Sequence, residues 1–188
     1  MRPLMSEAEI GFVNQFVNAS VVAVEWGSGG STVHFGVRAR EWISIEHNCE
    51  WAARVLTAVQ GRENIHVVYA APNRPVVPVL DDWLEYPEEY SMAFRTYINA
   101  PFVFMEKRCK APDVNLVLVD GRARLFCALK ALSHRLTRDA TILVHDFRPR
   151  PRYWPLLERC EILASVESGR SMVALKSRVP GSNCTARV

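Results

Sequence analysis

The chain has 188 residues, of which 49% are hydrophobic and 23% are charged. These proportions are typical of a globular chain and exclude a disordered or fibrous one. The length predicts one domain, since domains run to roughly 100–200 residues. The net charge of +3 does not by itself require a nucleic-acid partner.

The cysteines and the N-terminus bear on the compartment. The cysteines are scattered and none forms a C-x-x-C pair: Cys49, Cys109, Cys127, Cys160 and Cys184. This spacing predicts reduced thiols rather than disulfides or a zinc knuckle. The first ten residues lack a signal-peptide apolar stretch, and no apolar run approaches the roughly 18 residues of a membrane span. We therefore expect a cytoplasmic protein without membrane contact.

Helical and strand patterns alternate along the chain. Ser6 and Glu9 have the spacing of a capping box and predict the start of the first helix. Five short apolar segments predict strands at 20–26, 42–46, 65–69, 114–120 and 141–146. Helical patterns separate several of them, at 32–38, 52–59 and 125–136.

This alternation predicts an α/β fold: a Rossmann-like, mostly parallel sheet with helices on both faces. Two weaker strands, 161–166 and 172–175, flank a turn and predict a C-terminal antiparallel hairpin. We expect a single domain spanning 1–188.

The stretch 70–112 interrupts the pattern and is interpreted as an irregular, proline-rich insertion. Its prolines disfavour long regular elements, leaving room for one short helix between Glu88 and Asn99. Its centre is acidic. Loops of this length are often lids or substrate-recognition elements, and a packed excursion without ligand contact is an equal alternative.

The most informative segment follows the first strand and reads Glu25-Trp26-Gly27-Ser28-Gly29-Gly30-Ser31-Thr32. Its glycines allow a tight turn and a close approach of the backbone to a ligand. Thr32 stands where a dinucleotide-binding turn has glycine, and the lysine of a P-loop is absent. Glu25 would repel phosphate and favours a ligand that carries an ammonium group.

A second carboxylate, Glu46, ends the second predicted strand. A carboxylate at this place can accept hydrogen bonds from both hydroxyls of a ribose. The alternative is a structural role, as the N-cap of the helix that follows.

The glycine turn with its preceding Glu25, and Glu46 at the end of the next strand, resemble the class I S-adenosylmethionine-dependent methyltransferases. Further motifs resemble a group of small bacterial methyltransferase-like proteins: Ser44-Ile45-Glu46, Val119-Asp120-Gly121-Arg122-Ala123-Arg124, Cys127-Ala128-Leu129 and Asp146-Phe147. The resemblance covers roughly 19–176 and implies S-adenosylmethionine as cofactor, without implying a substrate.

The resemblance also implies roles for individual residues. Glu25 and the turn residues would hold the methionine part of the cofactor; the turn residues are Gly27, Ser28, Gly29, Gly30 and Ser31. Glu46 would hold the ribose, and His47 would lie beside the adenine. The third strand departs from the family pattern, because Val68-Tyr69-Ala70 lacks the carboxylate often found there.

Three residues at strand ends are candidate catalytic groups. Asp120 could take a proton from the acceptor, or it could pair with Arg122 or Arg124 and only shape its loop. His145, a natural base near neutral pH, and Asp146 follow the fifth strand. These three could in principle bind a divalent ion, but we expect no metal.

A basic stretch completes the candidate site. Between Arg122 and Arg159 the chain has nine basic and three acidic residues. Arg122, Arg124 and Arg148 are candidate substrate-binding residues, and the stretch could contact nucleic acid or simply be solvated.

We therefore predict methyl transfer to an unidentified acceptor, with a small molecule favoured. The alternatives are a non-catalytic methyltransferase fold that acts as a cofactor sensor or partner subunit, and a dinucleotide-binding oxidoreductase. Aromatic residues of the insertion would be compatible with either a lid or a homo-oligomer contact.

Overall fold

The computed structural model describes residues 1–74, 91–108, 113–134, 136–147, 153–167 and 171–178. The helices are α1 (Glu7–Asn14), α2 (Gly30–Gly36), α3 (Cys49–Ala58), α4 (Arg95–Glu106), α5 (Arg124–Leu132) and α6 (Trp154–Arg159). The strands are β1 (Val22–Trp26), β2 (Glu41–Glu46), β3 (Ile65–Tyr69), β4 (Val114–Val119), β5 (Leu136–His145), β6 (Cys160–Val166) and β7 (Met172–Ser177).

The strands form one sheet in the order β3-β2-β1-β4-β5-β7-β6. The first five strands in this order are parallel, and β7 pairs antiparallel with both β5 and β6. The predicted Rossmann-like sheet and the predicted C-terminal antiparallel pair are both confirmed. The strand order reverses between β1 and β4, and open sheets of this kind bind ligands at the carboxyl ends of the strands beside such a point.

Helices cover the sheet on both sides. Val24 and Trp26 of β1 belong to a core that also contains Phe102 of α4 and Leu156 of α6. Ala23, on the opposite face of the strand, belongs to a second core that includes residues of α1 and α2. Because successive side chains of a strand alternate between faces, Glu25 points toward this second side.

Helix α4 corrects the prediction that prolines disfavour long regular elements in 70–112. It has 12 residues and contains Pro101. Proline has no N–H to donate to the carbonyl four residues earlier, which is that of Tyr97. The indole Nε1–H of Trp26 donates to this carbonyl instead, at 3.0 Å. The tertiary hydrogen bond thus satisfies the group that proline leaves unpaired.

Other predicted boundaries also shift. The helical pattern of 125–136 ends as a helix at Leu132, and Leu136 is the first residue of β5. In the range 88–99, where a short helix is predicted, residues 91–93 are helical and α4 begins at Arg95, while 88–90 lie outside the described residues. The acidic centre of the insertion, the aromatic residues considered for a lid or a homo-oligomer contact (Trp83, Tyr86 and Tyr90) and Arg148 lie outside the described residues. No helix in the described part of the chain is long and apolar enough to cross a membrane.

Candidate active site

A cavity of about 800 Å³ opens at the carboxyl ends of the parallel strands. It extends from the glycine turn after β1, past the loop after β2, to the loops after β4 and β5. Most predicted site residues line it: Gly27, Ser28, Gly29, Gly30, Ser31, Glu46, His47, Asp120, Arg122, Arg124 and Asp146. Its volume falls within the roughly 300–1,000 Å³ of typical small-molecule sites.

The floor of the cavity depends on two glycines in contact. Gly27 has a φ of +101°, and a Cβ there would lie 2.6 Å from the backbone N of Gly121. A Cβ on Gly121 would in turn lie 2.0 Å from the hydroxyl of Tyr97. The loops after β1 and β4 therefore approach each other as closely as backbone allows.

Glu25 lies beneath the turn rather than in the cavity, and it is fully buried. Its Oε1 accepts from the Ser31 hydroxyl at 2.5 Å. Its Oε2 accepts from the Thr32 hydroxyl at 2.6 Å, the Trp42 indole N–H at 2.7 Å and the Ser44 hydroxyl at 2.7 Å. These four donors occupy the acceptor sites of the carboxylate, so the structure gives Glu25 a different place from the predicted contact with a ligand ammonium group.

The bonds to Glu25 determine the shape of the turn. Ser44 gives its one hydroxyl hydrogen to Glu25, so in the 2.6 Å contact between Ser28 Oγ and Ser44 Oγ the donor is Ser28. The Thr32 hydroxyl also accepts from the backbone N–H of Gly29 at 2.9 Å. Burial raises the pKa of the Glu25 carboxyl above its ordinary value, and the four hydrogen bonds oppose that rise.

Glu46 lies where the ribose prediction requires it, at the end of β2 and facing the cavity. Its Oε1 accepts from the backbone N–H groups of His47 at 2.9 Å and Asn48 at 2.8 Å. Asn48, not Glu46, is the N-cap of α3, because its side chain accepts from the Trp51 backbone N–H. The alternative N-cap role of Glu46 is therefore wrong. Within the described part of the chain, Oε2 of Glu46 has no hydrogen-bond partner.

His47 borders the cavity next to an aromatic cluster. Its Nδ1 lies 2.8 Å from Oε1 of Glu46. Its ring makes edge-on contacts with Phe94 and Tyr97, with centroids 5.6 and 5.7 Å away. These contacts fix the ring at one wall beside the proposed ribose position.

The three predicted catalytic residues come together, although in unequal positions. Asp120 and Asp146 line the cavity, whereas His145 is buried behind them. His145 Nδ1 lies 2.6 Å from Oδ1 of Asp120. Asp120 is tied to the turn as well, since its backbone N–H donates to the carbonyl of Trp26 at 2.9 Å.

Arg124 binds the two loops together, which differs from its predicted substrate role. Its Nε donates to the Gly121 carbonyl at 3.0 Å. Its Nη1 donates to the His145 carbonyl at 3.0 Å and to Asp146 Oδ2 at 2.5 Å. Its Nη2 donates to the Asp120 carbonyl at 3.3 Å and lies 3.7 Å from Asp120 Oδ1. The Arg124 guanidinium thus lies between the carboxylates of Asp120 and Asp146.

Arg122 remains the candidate for substrate contact among the described residues. It lines the cavity and is exposed, and no ion pair holds its guanidinium within the described part of the chain. No cluster of three or more His, Cys, Asp or Glu side chains suited to a metal occurs in the described ranges.

Sequence reasoning missed part of the cavity wall. Trp51 and Arg54, from the first turns of α3, line the cavity. The Trp51 indole N–H donates to the Ser28 carbonyl at 2.6 Å. On the other side lie Met1, Arg2 and Leu4, and a Cβ on Gly30 would come within 1.9 Å of the Arg2 carbonyl oxygen. The third glycine of the turn therefore serves packing against the N-terminal segment, a contact that no local pattern reveals.

No family model matches the sequence, and no curated protein is significantly similar to it. Solved structures do match. A crystal structure of a methyltransferase-like protein from Silicibacter pomeroyi is 26% identical, with a TM-score of 0.65, covering 95% of this chain and 91% of that one. An rRNA methylase from Streptococcus thermophilus is 10% identical, with a TM-score of 0.59 and coverage of 93% and 98%.

The N-methyltransferase NodS from Bradyrhizobium japonicum has 10% identity, a TM-score of 0.56 and coverage of 90% and 96%. These similarities and the strand order define the class: the chain has the fold of class I S-adenosylmethionine-dependent methyltransferases. Of these three neighbours, the S. pomeroyi protein is the most similar in sequence and fold.

Proposed function

We propose that the protein is an S-adenosylmethionine-dependent methyltransferase that uses the cavity at the strand ends. The observation that carries this proposal is the arrangement within one cavity of the glycine turn, the half-free carboxylate of Glu46 and the carboxylate of Asp120. The fold neighbours support the reaction class.

The cofactor fits the residues that line the cavity. A Cβ on Gly29 would meet only the Trp51 indole, at 3.7 Å, so the space above this glycine is open to a ligand. The free Oε2 of Glu46 suits the hydroxyls of a ribose. The cavity is lined by carboxylates as well as arginines, which suits a ligand that carries both an ammonium and a carboxylate group, as the methionine part of the cofactor does.

The bound cofactor would supply an electrophilic methyl group on a sulfonium. Asp120 would receive a hydrogen bond from the acceptor atom and take its proton as the methyl arrives. Gly27 and Gly121 bring the loop that carries Asp120 against the turn, so the Asp120 carboxylate lies close to the proposed cofactor position. The main contribution of the chain would be alignment of the two reactants.

We infer that the acceptor is a small molecule. The support for this is the size of the cavity, about 800 Å³, which Asp120 lines together with Met1, Arg2 and Leu4 of the N-terminal segment. Arg122, exposed at the same cavity, would attract an acceptor with an anionic group. A nucleic-acid acceptor contacting the basic stretch is the competing outcome.

Calorimetric titration with S-adenosylhomocysteine, NAD and ATP tests the proposal. We expect S-adenosylhomocysteine alone to bind. Glu46→Gln should weaken this binding about ten- to a hundredfold, because it removes a charge-assisted hydrogen bond worth roughly 1.5–3 kcal/mol. The matched control is Glu63→Gln, an exposed carboxylate before β3 at the opposite end of the sheet. Tight binding of NAD, or equal affinity in Glu46→Gln, would contradict the assignment.

A further inference from the structure

Glu9 is a carboxylate on the first helix that is only 2% exposed. Its Oε2 accepts from the backbone N–H of Ser6 at 2.8 Å and from the Ser6 hydroxyl at 3.0 Å, which completes the capping box. Capping needs only this one oxygen. The other, Oε1, is buried and has no hydrogen-bond partner among the described residues.

The unpaired oxygen of Glu9 faces the unpaired nitrogen of a buried imidazole. His145 is 1% exposed, and its Nε2 likewise has no hydrogen-bond partner within the described ranges. The two atoms lie 3.4 Å apart. On the other side of the ring, Nδ1 lies 2.6 Å from Asp120 Oδ1. The imidazole is thus placed between two carboxylates, one in the interior and one in the cavity.

We propose that Glu9 is a positioning residue, which keeps both ring nitrogens of His145 protonated and so holds the Asp120 carboxylate in place at the cavity. The part that concerns the reaction rests on the proposed methyltransferase function. The part that concerns the His145 protons is independent of that function, because it follows from the contacts between Glu9, His145 and Asp120 alone.

Electrostatics and hydrogen bonding favour the imidazolium form of His145. A neutral imidazole has one N–H, so one of its nitrogens would present a lone pair to a carboxylate oxygen. The imidazolium donates on both sides and satisfies both carboxylates. Unpaired buried polar atoms are costly, and the imidazolium pairs two of the four such side-chain atoms found among the described residues.

The surrounding charges favour the same state. Burial alone would lower the pKa of His145, but the hydrogen bond to Asp120 and the charges of Asp120, Asp146 and Glu9 outweigh it, and the pKa is raised. Arg124, whose Nη1 donates to the His145 carbonyl, opposes this effect. From β7, the described residue opposite His145 is Met172, which carries no charge.

The contacts from Glu9 through His145 to Asp120 also affect how firmly Asp120 is held at the cavity. When the pH rises through the pKa of His145, the ring loses one N–H and one of the two carboxylates loses its donor. Asp120 is then less firmly held, so turnover should fall on the alkaline side. Glu9→Gln removes a negative charge that favours the imidazolium, so this alkaline limb should move to lower pH.

The test is an NMR titration of the His145 ring in the cofactor-free protein, assigned with His145→Gln. We expect a midpoint above the ordinary 6.5, moved down by about one pH unit or more in Glu9→Gln. Ser6→Ala is the matched control, because it weakens the same helix end but keeps the Glu9 charge, and its midpoint should match wild type. If Glu9→Gln fails to fold, Glu9→Asp should shift the midpoint less and in the same direction.

An unchanged midpoint in a folded Glu9→Gln protein would refute the proposed influence of Glu9 on the His145 protons. Equal shifts in Glu9→Gln and Ser6→Ala would refute it as well. Binding of S-adenosylhomocysteine is measured on the same samples. Its absence would refute the proposed function and with it the role of Glu9 in the reaction, whatever the titration gives. A shifted midpoint together with binding supports the proposal.

Discussion

Glu25→Ala should destabilise the protein strongly, because four buried donors converge on the Glu25 carboxylate. Three of the donors are hydroxyls, which can rotate toward other acceptors. The fourth is the indole N–H of Trp42, a side chain that is fully buried and has a fixed N–H direction.

The magnitude follows from what remains unpaired. The Trp42 N–H alone should cost about 1–3 kcal/mol, the desolvation cost of a buried donor without a partner. The cavity left by the side chain and the loss of some hydroxyl hydrogen bonds add to this cost. The free energy of unfolding should therefore fall by about 2–4 kcal/mol. Glu25→Gln should cost less, because its amide oxygen can accept from Trp42 while its NH₂ donates to the Ser31 hydroxyl.

Urea denaturation at neutral pH measures both variants, and calorimetry with S-adenosylhomocysteine measures the site. We expect the Gln variant to keep most of its cofactor affinity, since Glu25 lies under the turn and not in the cavity. Loss of affinity in a stable Glu25→Gln protein would instead support the direct contact between Glu25 and the cofactor that the sequence predicts. An unchanged unfolding midpoint in Glu25→Ala would refute the energetic argument.

The pH dependence gives an independent check on Glu25. Its pKa is raised by burial from the ordinary 4.5, so the folded state binds more protons than the unfolded state between 4.5 and the folded pKa. The stability that this group contributes is therefore present below pH 4.5 and is lost as the pH rises through the folded pKa. Glu25→Gln should lack this component.

The remaining predictions concern the turn, the base and α4. Gly29→Val should fold but lose cofactor affinity, because its side chain would enter the open space beside Trp51 that is proposed for the cofactor. Gly27→Ala should be destabilised, because its Cβ would clash with Gly121 at a φ of +101°. Thermal melts and calorimetry separate the two variants, and equal behaviour would contradict this prediction. Asp120→Asn should leave cofactor affinity nearly unchanged and lower turnover about 10²–10⁴-fold if Asp120 is the base, and full turnover would exclude that role. Trp26→Phe should cost about 1–3 kcal/mol of unfolding free energy, because the Tyr97 carbonyl loses its donor, and an unchanged urea midpoint would refute this.

The sheet could be predicted from the sequence because buried parallel strands leave a strong local signal. Apolar runs such as Val114–Val119 have few interpretations other than a strand covered on both faces. The position of the cavity follows, since parallel strands place their carboxyl ends at one edge. The capping box at Ser6 and Glu9 is likewise a local pattern, and the structure has it as predicted.

The sequence-based predictions fail where a contact between residues distant in the sequence determines the local structure. Pro101 argues locally against a helix, and the donor that pairs the Tyr97 carbonyl in its place, the Trp26 indole, is distant in sequence. Leu136 continues a helical spacing, but pairing with Val114 places it in β5. The sequence predicts only a capping role for Glu9, because nothing near it along the chain reveals the imidazole of His145.

The different environments of the acidic residues near the strand ends follow from how far along its strand each residue lies. Glu25 is the next-to-last residue of β1, so its side chain points below the sheet edge, into the core. Glu46 is the last residue of β2 and Asp120 follows the last residue of β4, so both reach the cavity. Glu25 pairs with Ser44 and Leu118, so Glu46 and Asp120 lie two residues further along their strands than Glu25 does. This position at the strand end separates carboxylates that can meet a ligand from one that organises the turn. This is why carboxylates that look equivalent in the sequence should respond differently to substitution: stability should change most at Glu25, cofactor affinity at Glu46 and turnover at Asp120.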